Sequence, residues 1–346
     1  MAYPTPPVAS KKQVNRAGLV VASQHATTEE LHDAQTLVDQ FRAAHHWPML
    51  TARVTLSERA AKVSPESLVV QRLKRMPSIV AKLKSGRVVN VSTMQDLGGC
   101  RAILPTLEDV RELQERYETS GQSRAFTYSL RNDYIANPKP NGYRGLHFIA
   151  TYNSPARPEY AGYKVELQFR TQLMHSWATA VEIVDIFSEA GLKSSTPDSF
   201  DSEWDYFFAY SSAAMSLDEG TNAPTGAPET PDLVRDSLAE IDALSLIEKI
   251  ENWSRTMNEV LTEKTKGIYY LLTLDFDNES VQVRQYKNAQ EADLAYRESE
   301  TSNSGRIDTV LVAGGSVAQI KAAYPNYFVD SHRFTSYMRE YILRGK

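Results

Sequence analysis

Residues 131–153 read RNDYIANPKPNGYRGLHFIATYN and residues 164–170 read KVELQFR. Pro138, Lys139, Asn141 and Gly142 have turn chemistry: proline presets φ, and Asn and Gly accept left-handed backbone. The turn presents Tyr143 ahead of a strand predicted over Arg144–Tyr152, and period-two alternation sets Tyr143 and His147 on one side. In KVELQFR the same alternation separates Val165, Leu167 and Phe169 from Glu166, Gln168 and Arg170. The apolar set suits a core and the polar set a cleft. A tyrosine ring at such a mouth can stack on a nucleobase, worth roughly 1–3 kcal/mol. A lone tyrosine or histidine is more often simple packing.

Two upstream segments add complementary chemistry. RLKRMPSIVAK spans residues 72–82 and DLGGCR residues 96–101. An extended run over Leu68–Lys74 would put Arg72 and Lys74 on one face. Pro77 suits the first turn of a helix on which Ser78 and Lys82, four apart, share a face. These side chains and Arg101 are suited to polyphosphate. Asp96, at a glycine-flanked strand entry, offers hard oxygen ligands, and Glu166 offers a second carboxylate. Magnesium is ordinarily held by one or two carboxylates plus substrate phosphates. The plainer alternatives are a strand-end cap for Asp96 and a surface ion pair for Glu166. Lys84 and Arg75 read as solvated charge.

The chain has 346 residues, a 42% hydrophobic fraction and a formal net charge of −5. That is ordinary for a globular protein of one large domain or two. The net charge argues against wholesale attraction to nucleic acid, yet a basic face could hold an RNA end. A single cysteine, Cys100, cannot form an internal disulfide or a cysteine-rich zinc site and reads as a small buried residue. No signal-like or membrane-length apolar run opens the chain, so a cytoplasmic location and no membrane partner are expected.

Helices are predicted over Thr28–His45, from Thr106-Leu-Glu-Asp109 to about Glu118, around Met174, Trp177, Val181 and Val184, and over Phe200–Leu217. Further strands are predicted over Cys100–Leu104, Arg124–Leu130 and Tyr163–Arg170. Residues 218–231, DEGTNAPTGAPETP, read as a flexible linker or long loop. A long helix over Asp232–Lys264 follows, then a hairpin of Ile268–Phe276 with Val281–Tyr286, a helix, a strand over Asp308–Ala313 and two helices. The pattern changes after Lys266, which divides the chain into 1–266 and 267–346.

Together the quoted segments resemble the synthetase domain of the RelA/SpoT pyrophosphokinases, over roughly residues 60 to 190. The resemblance implies an α+β, mixed-sheet, nucleotidyltransferase-like domain that moves pyrophosphate from ATP to a ribose hydroxyl with Mg2+. It matches Arg72, Lys74, Ser78, Lys82 and Arg101 to ATP binding. Asp96 and Glu166 match the catalytic, metal-binding pair, with Glu166 a candidate for hydroxyl activation. Lys139, Asn141, Tyr143, His147, Gln168 and Arg170 fall on the acceptor side, with Tyr143 holding the base. One departure stands out. Guanosine alarmone synthetases of the family place Arg-x-Lys-Asp or Glu-x-Asp-Asp where this chain has Leu130-Arg131-Asn132-Asp133.

That departure turns the expected acceptor towards the 3′ adenosine ribose of tRNA, with synthesis of guanosine or adenosine alarmones from free nucleotides as the alternative. An inactive nucleotide-sensing module is the rival of another class. The long bifunctional members carry an N-terminal hydrolase for which the chain has no room, so alarmone breakdown is not expected. Residues 267–346 resemble the small α+β pseudo zinc-finger domain of fused toxin–antitoxin members of the CapRel type. That likeness implies autoinhibition through Tyr324 and Tyr327 in Tyr324-Pro-Asn-Tyr327, relieved by a phage protein such as a capsid component. The plainer reading packs both tyrosines beside Phe328.

Overall fold

The computed structural model describes residues 4–23, 25–119, 123–188, 202–258, 269–275, 280–302, 307–313 and 331–344. The chain falls into two compact units. One comprises Met1–Ala102, Arg111–Arg131 and His147–Phe169, and the other Ile103–Val110, Asn132–Leu146 and Arg170–Lys346.

The first unit opens with helices α1 (Lys11–Ala22), α2 (Thr28–Ala43) and α3 (His46–Val63). Capping boxes start the first two: Ser10 with Gln13, and Thr27 with Glu30. The expected helix to His45 stops slightly early, and α3 follows almost without a break. Then come β1 (Leu68–Leu73) and α4 (Met76–Lys84), with Pro77 in the first turn of α4 as expected. Strand β2 (Gly98–Leu104) leads to α5 (Leu107–Thr119), where the Thr106 hydroxyl accepts from the Asp109 amide at 3.1 Å and donates to its carboxylate at 2.8 Å.

Strands β3 (Phe126–Asp133), β4 (Leu146–Tyr152) and β5 (Lys164–Thr171) complete a five-stranded sheet of order β1-β2-β5-β4-β3. Its direction is mixed. The Lys74 amide donates to the Leu97 carbonyl, Asn153 to Ala125 and Gly162 to Tyr152, so β1/β2, β3/β4 and β4/β5 run antiparallel. Gly99 lies beside the Glu166 carbonyl and Arg101 reaches Gln168, so β2 and β5 run parallel. The apolar face buries Val165, Leu167 and Phe169, as alternation predicts, and Phe148 stacks on Phe169 at 5.3 Å. Cys100 is buried with its thiol directed at the Met49 carbonyl, and burial pushes its pKa up to about 12. It is a packing residue, as expected.

The second unit holds α6 (Gln172–Ser188), α7 (Glu203–Asp218), α8 (Pro231–Glu240) and α9 (Ala243–Asn258). The single helix expected over Asp232–Lys264 is two helices, because Asp242 takes φ 49°. Aspartate tolerates this left-handed conformation better than most residues. The bend lets Val234 and Leu238 share one core with Ala243, Leu246, Ile247 and Ile250. Residues 218–231 form the long loop, not a free linker: Ala223 and Ala227 pack on that core, and Asn222 Nδ2 donates to the Ala136 carbonyl at 2.7 Å.

Farther along stand β6 (Tyr269–Asp275), β7 (Ser280–Tyr286), α10 (Ala289–Ser302), β8 (Ile307–Ala313) and α11 (His332–Leu343). The expected hairpin pairs Tyr269 with Tyr286, and β8 joins antiparallel on the other side of β6. Helix α11 packs with α6, α8 and α9. Its Phe334, Met338, Tyr341 and Ile342 join Trp177, Phe207 and Phe208 in one core. Residue 266, the boundary expected from sequence, and Tyr324 and Tyr327 lie outside the described residues. Among the described residues no helix is long and apolar enough to cross a membrane.

Candidate active site

In the first unit the cations converge on a carboxylate. Lys74, just past β1, and Lys82, on α4, both donate to Asp96 Oδ2, at 2.9 and 2.5 Å. Burial alone would raise the pKa of Asp96. The charges and hydrogen bonds of the two lysines outweigh it and hold the carboxyl below its usual value. Lys74 itself is lowered, first by burial and then by the neighbouring Lys82 and Arg72 charges, against the pull of Asp96. Arg72 on β1 and Ser78 in the first turn of α4 are half-buried.

Glu166 on β5 is the second carboxylate. Its Oε1 lies 2.9 Å from His147 Nδ1 and its Oε2 accepts from Gln168 Nε2 at 2.8 Å. Gln168 Oε1 in turn accepts from Arg101 Nε at 3.4 Å. Burial works to raise the Glu166 carboxyl, as does the Asp96 charge, but the His147 contact, with help from Gln168, leaves it below the ordinary range. Both carboxylates therefore carry charge at neutral pH, and the Asp96 charge acts on Glu166. The resemblance places His147 and Gln168 beside the acceptor; here both fix the orientation of Glu166.

Among the described residues no group of three or more His, Cys, Asp or Glu gathers as a metal site. An Asp96–Glu166 pair still fits Mg2+, whose remaining ligands are ordinarily water and substrate phosphate oxygens. A cation would take up charge that Lys74 and Lys82 now balance.

The second unit carries the tyrosine loop. The strand expected from Arg144 starts at Leu146, so Tyr143 sits on the turn and strand alternation does not reach it. The Gly142 amide donates to the Lys139 carbonyl, the Lys139 amide to the Tyr143 carbonyl, and the Asn141 side chain accepts from the Tyr143 amide. Arg170 is buried and donates through Nη2 to the Tyr143 hydroxyl at 2.7 Å, with its guanidinium 4.9 Å from the ring centre. Exposed Lys139 lies over both the Tyr143 and the Tyr134 rings, at 5.1 and 4.6 Å. Tyr134, Arg144 and Glu219 were not singled out from sequence. Tyr134 and Arg144 both stand within the segment 131–153, and Tyr134 meets Tyr143 edge to face at 5.6 Å, whereas Glu219 falls in the stretch that reads as linker or loop.

Gly142 is required at its position. Its φ is +93°, and a Cβ would fall 2.8 Å from the Phe208 carbonyl and from the Trp177 ring and 2.9 Å from Ser212 Cβ. Gly142→Ala should therefore cost about 2–4 kcal/mol of stability through strain and overpacking. Chemical denaturation checks it, and a variant within about 0.5 kcal/mol of the wild type, the range of an ordinary surface change, would refute the close fit.

A family model described as "Region found in RelA / SpoT proteins" matches residues 71–184. The GTP pyrophosphokinase YjbM of Bacillus subtilis (strain 168) is 33% identical over 127 residues, covering 36% of this chain and 59% of that protein. The GTP pyrophosphokinase YwaC of the same organism is 35% identical over 115 residues, covering 31% and 52%. The chain thus spans somewhat over half the length of these relatives. Among solved structures, small alarmone synthetase 1 from Bacillus subtilis bound to its product pppGpp is similar with a TM-score of 0.44 and 22% identity, over 54% of this chain and 94% of that one. The segments holding Asp96, Glu166, Tyr143 and the phosphate-suited cations lie inside residues 71–184, the stretch that the RelA/SpoT model matches.

Proposed function

We propose that this region is a pyrophosphokinase site that moves the β,γ-diphosphate of ATP onto a ribose hydroxyl of a purine nucleotide. The observation that carries the reading is the pair of ionised carboxylates, Asp96 under two lysines and Glu166 held by His147 and Gln168. The acceptor oxygen forms a bond to the β-phosphorus, the bond from that phosphorus to the α–β bridging oxygen breaks, and AMP leaves. Glu166 takes the hydroxyl proton, and His147 keeps the carboxylate aimed. Arg72, Lys74, Lys82 and Arg101 balance the phosphate charge, which is where most of the catalysis of phosphoryl transfer lies. Mg2+, held by Asp96 with Glu166, would supply further neutralisation of the β and γ oxygens. Tyr143, flanked by Lys139 and Arg170, offers the stacking surface for the acceptor base.

A free nucleotide is the first reading of the acceptor, by similarity to the GTP pyrophosphokinases. The 3′ end of tRNA is the second, favoured by the Leu130–Asp133 segment. There Asp133 turns its carboxylate onto the Ile135 and Ala136 amides, and Arg131 is exposed, as are Lys84 and Arg87 near the donor side. The regulatory reading of residues 267–346, with Tyr324 and Tyr327 as a plug and a phage protein as the release, belongs to this proposal as well.

Incubating the full chain with γ-labelled ATP and GDP, GTP, ATP or tRNA tests both readings. Label in free nucleotides, with a weak salt dependence, is the expected result. Label in tRNA that falls steeply with salt, as counterion release demands, would select the second. No label in any acceptor, from folded protein with Mg2+ present, would overturn the assignment.

A further inference from the structure

We propose that Asp218 and Glu219, at the C-terminal end of α7, form a joint through which α11 positions the loop carrying Tyr143. The proposal rests on the reading of Tyr143 as the stacking surface for the acceptor. Glu219 serves the loop. Its Oε2 accepts from Arg144 Nη1 at 2.6 Å and its Oε1 from Thr171 Oγ1 at 2.6 Å. Arg144 follows Tyr143 in the chain, and Thr171 follows Arg170, the residue that donates to the Tyr143 hydroxyl. One carboxylate thus holds the neighbours of both members of the Tyr143–Arg170 pair. Arg144 is 3% exposed and its Nη2 is buried without a hydrogen-bond partner, so its guanidinium depends heavily on Glu219 and Thr221.

Asp218 serves α11. Its Oδ2 accepts from the Tyr337 hydroxyl at 2.9 Å and from Arg344 Nη1 at 2.6 Å, and the Arg344 guanidinium lies 5.8 Å from the Tyr337 ring centre. A second, apolar route runs in parallel. Phe334 stacks on Phe208 at 5.9 Å, the Phe208 carbonyl accepts from Trp177 Nε1, and both Phe208 and Trp177 abut Gly142. The two routes begin on α11 and end on the turn that presents Tyr143. A force on α11, such as a partner binding to it, would reach the tyrosine as a change in position without touching it. Asp218 and Glu219 are positioning residues in this scheme, acting through Arg144 and Thr171.

Asp218→Ala removes the acceptor for Tyr337 on α11 and for Arg344 just past its end, and leaves Glu219 in place. Hydrogen exchange on the full-length variant should quicken about fivefold at residues 139–146, the scale of losing a partly exposed ion pair and a hydrogen bond, with residues 68–73 unchanged. The KM for the acceptor should rise by a similar factor while the KM for ATP holds, and Asp218→Glu should restore most of the loss. Unchanged exchange at 139–146, or a rise spread evenly over the chain, would overturn the proposal, as would equal shifts in both KM values. Faster local exchange in a chain that labels no acceptor would uphold the joint while sinking the pyrophosphokinase reading.

Discussion

Glu166→Gln should lower the rate of pyrophosphate transfer by about a thousandfold, the middle of the range for losing a general base, while leaving the fold intact. The substitution keeps the shape of the side chain and a carbonyl oxygen able to accept from Gln168 or His147. It removes the charge that the His147 and Gln168 contacts maintain against burial, and with it the group that takes the hydroxyl proton. ATP binding measured without Mg2+ should change little, because Lys74 and Lys82 are anchored on Asp96. Single-turnover kinetics with labelled ATP, beside a melting curve, separates the two effects. A folded variant retaining more than about a tenth of the wild-type rate would end the assignment of Glu166 to the proton transfer.

Phe334→Ala should remove about 3–5 kcal/mol of stability, the usual cost of emptying a buried aromatic site. Phe334 is fully buried, edge to face with Phe207 and stacked on Phe208, both at 5.9 Å. The residues it would leave behind are rigid aromatics that cannot collapse into the space. The site belongs to the core that also contains Trp177, so the loss should appear in unfolding of the whole second unit, not as local fraying of α11. Urea denaturation of the full chain measures it. A loss below about 1 kcal/mol, the level of a typical single substitution, would place Phe334 outside a tightly packed core. A chain cut at residue 266 would lose Phe334, Met338, Tyr341 and Ile342 from that core together.

The strands and the cap at Thr106 were legible because their signals are local. Alternation in KVELQFR is a two-residue pattern, and Thr106 with Asp109 is a three-residue spacing, so each can be read without knowing the fold. The break at Asp242 was hidden because the apolar spacing of α8 and α9 runs on as if through one helix, and only a backbone angle interrupts it. Residues 218–231 have linker composition, and their packing depends on alanines with no periodicity to announce it. Within the site, the residue types were legible and their partners were not. Lys74, Lys82 and Asp96 come from separate elements, so their meeting at one oxygen is a product of the sheet order and the placement of α4. Arg144 and Glu219 are farther apart still, and nothing near either residue in the chain hints at the other.

The pairing of Phe334 with Phe208 also bears on the order of events at the ribosome. Segments emerge in sequence, so the tyrosine turn, Trp177 and Phe208 are all made well before α11 exists to close over them. Until then Phe208 and its neighbours remain an open apolar surface, and the turn lacks part of its backing. Contacts of such long sequence separation form late and slow folding. A nascent chain therefore completes the packing behind the turn that carries Tyr143 only when synthesis has passed α11.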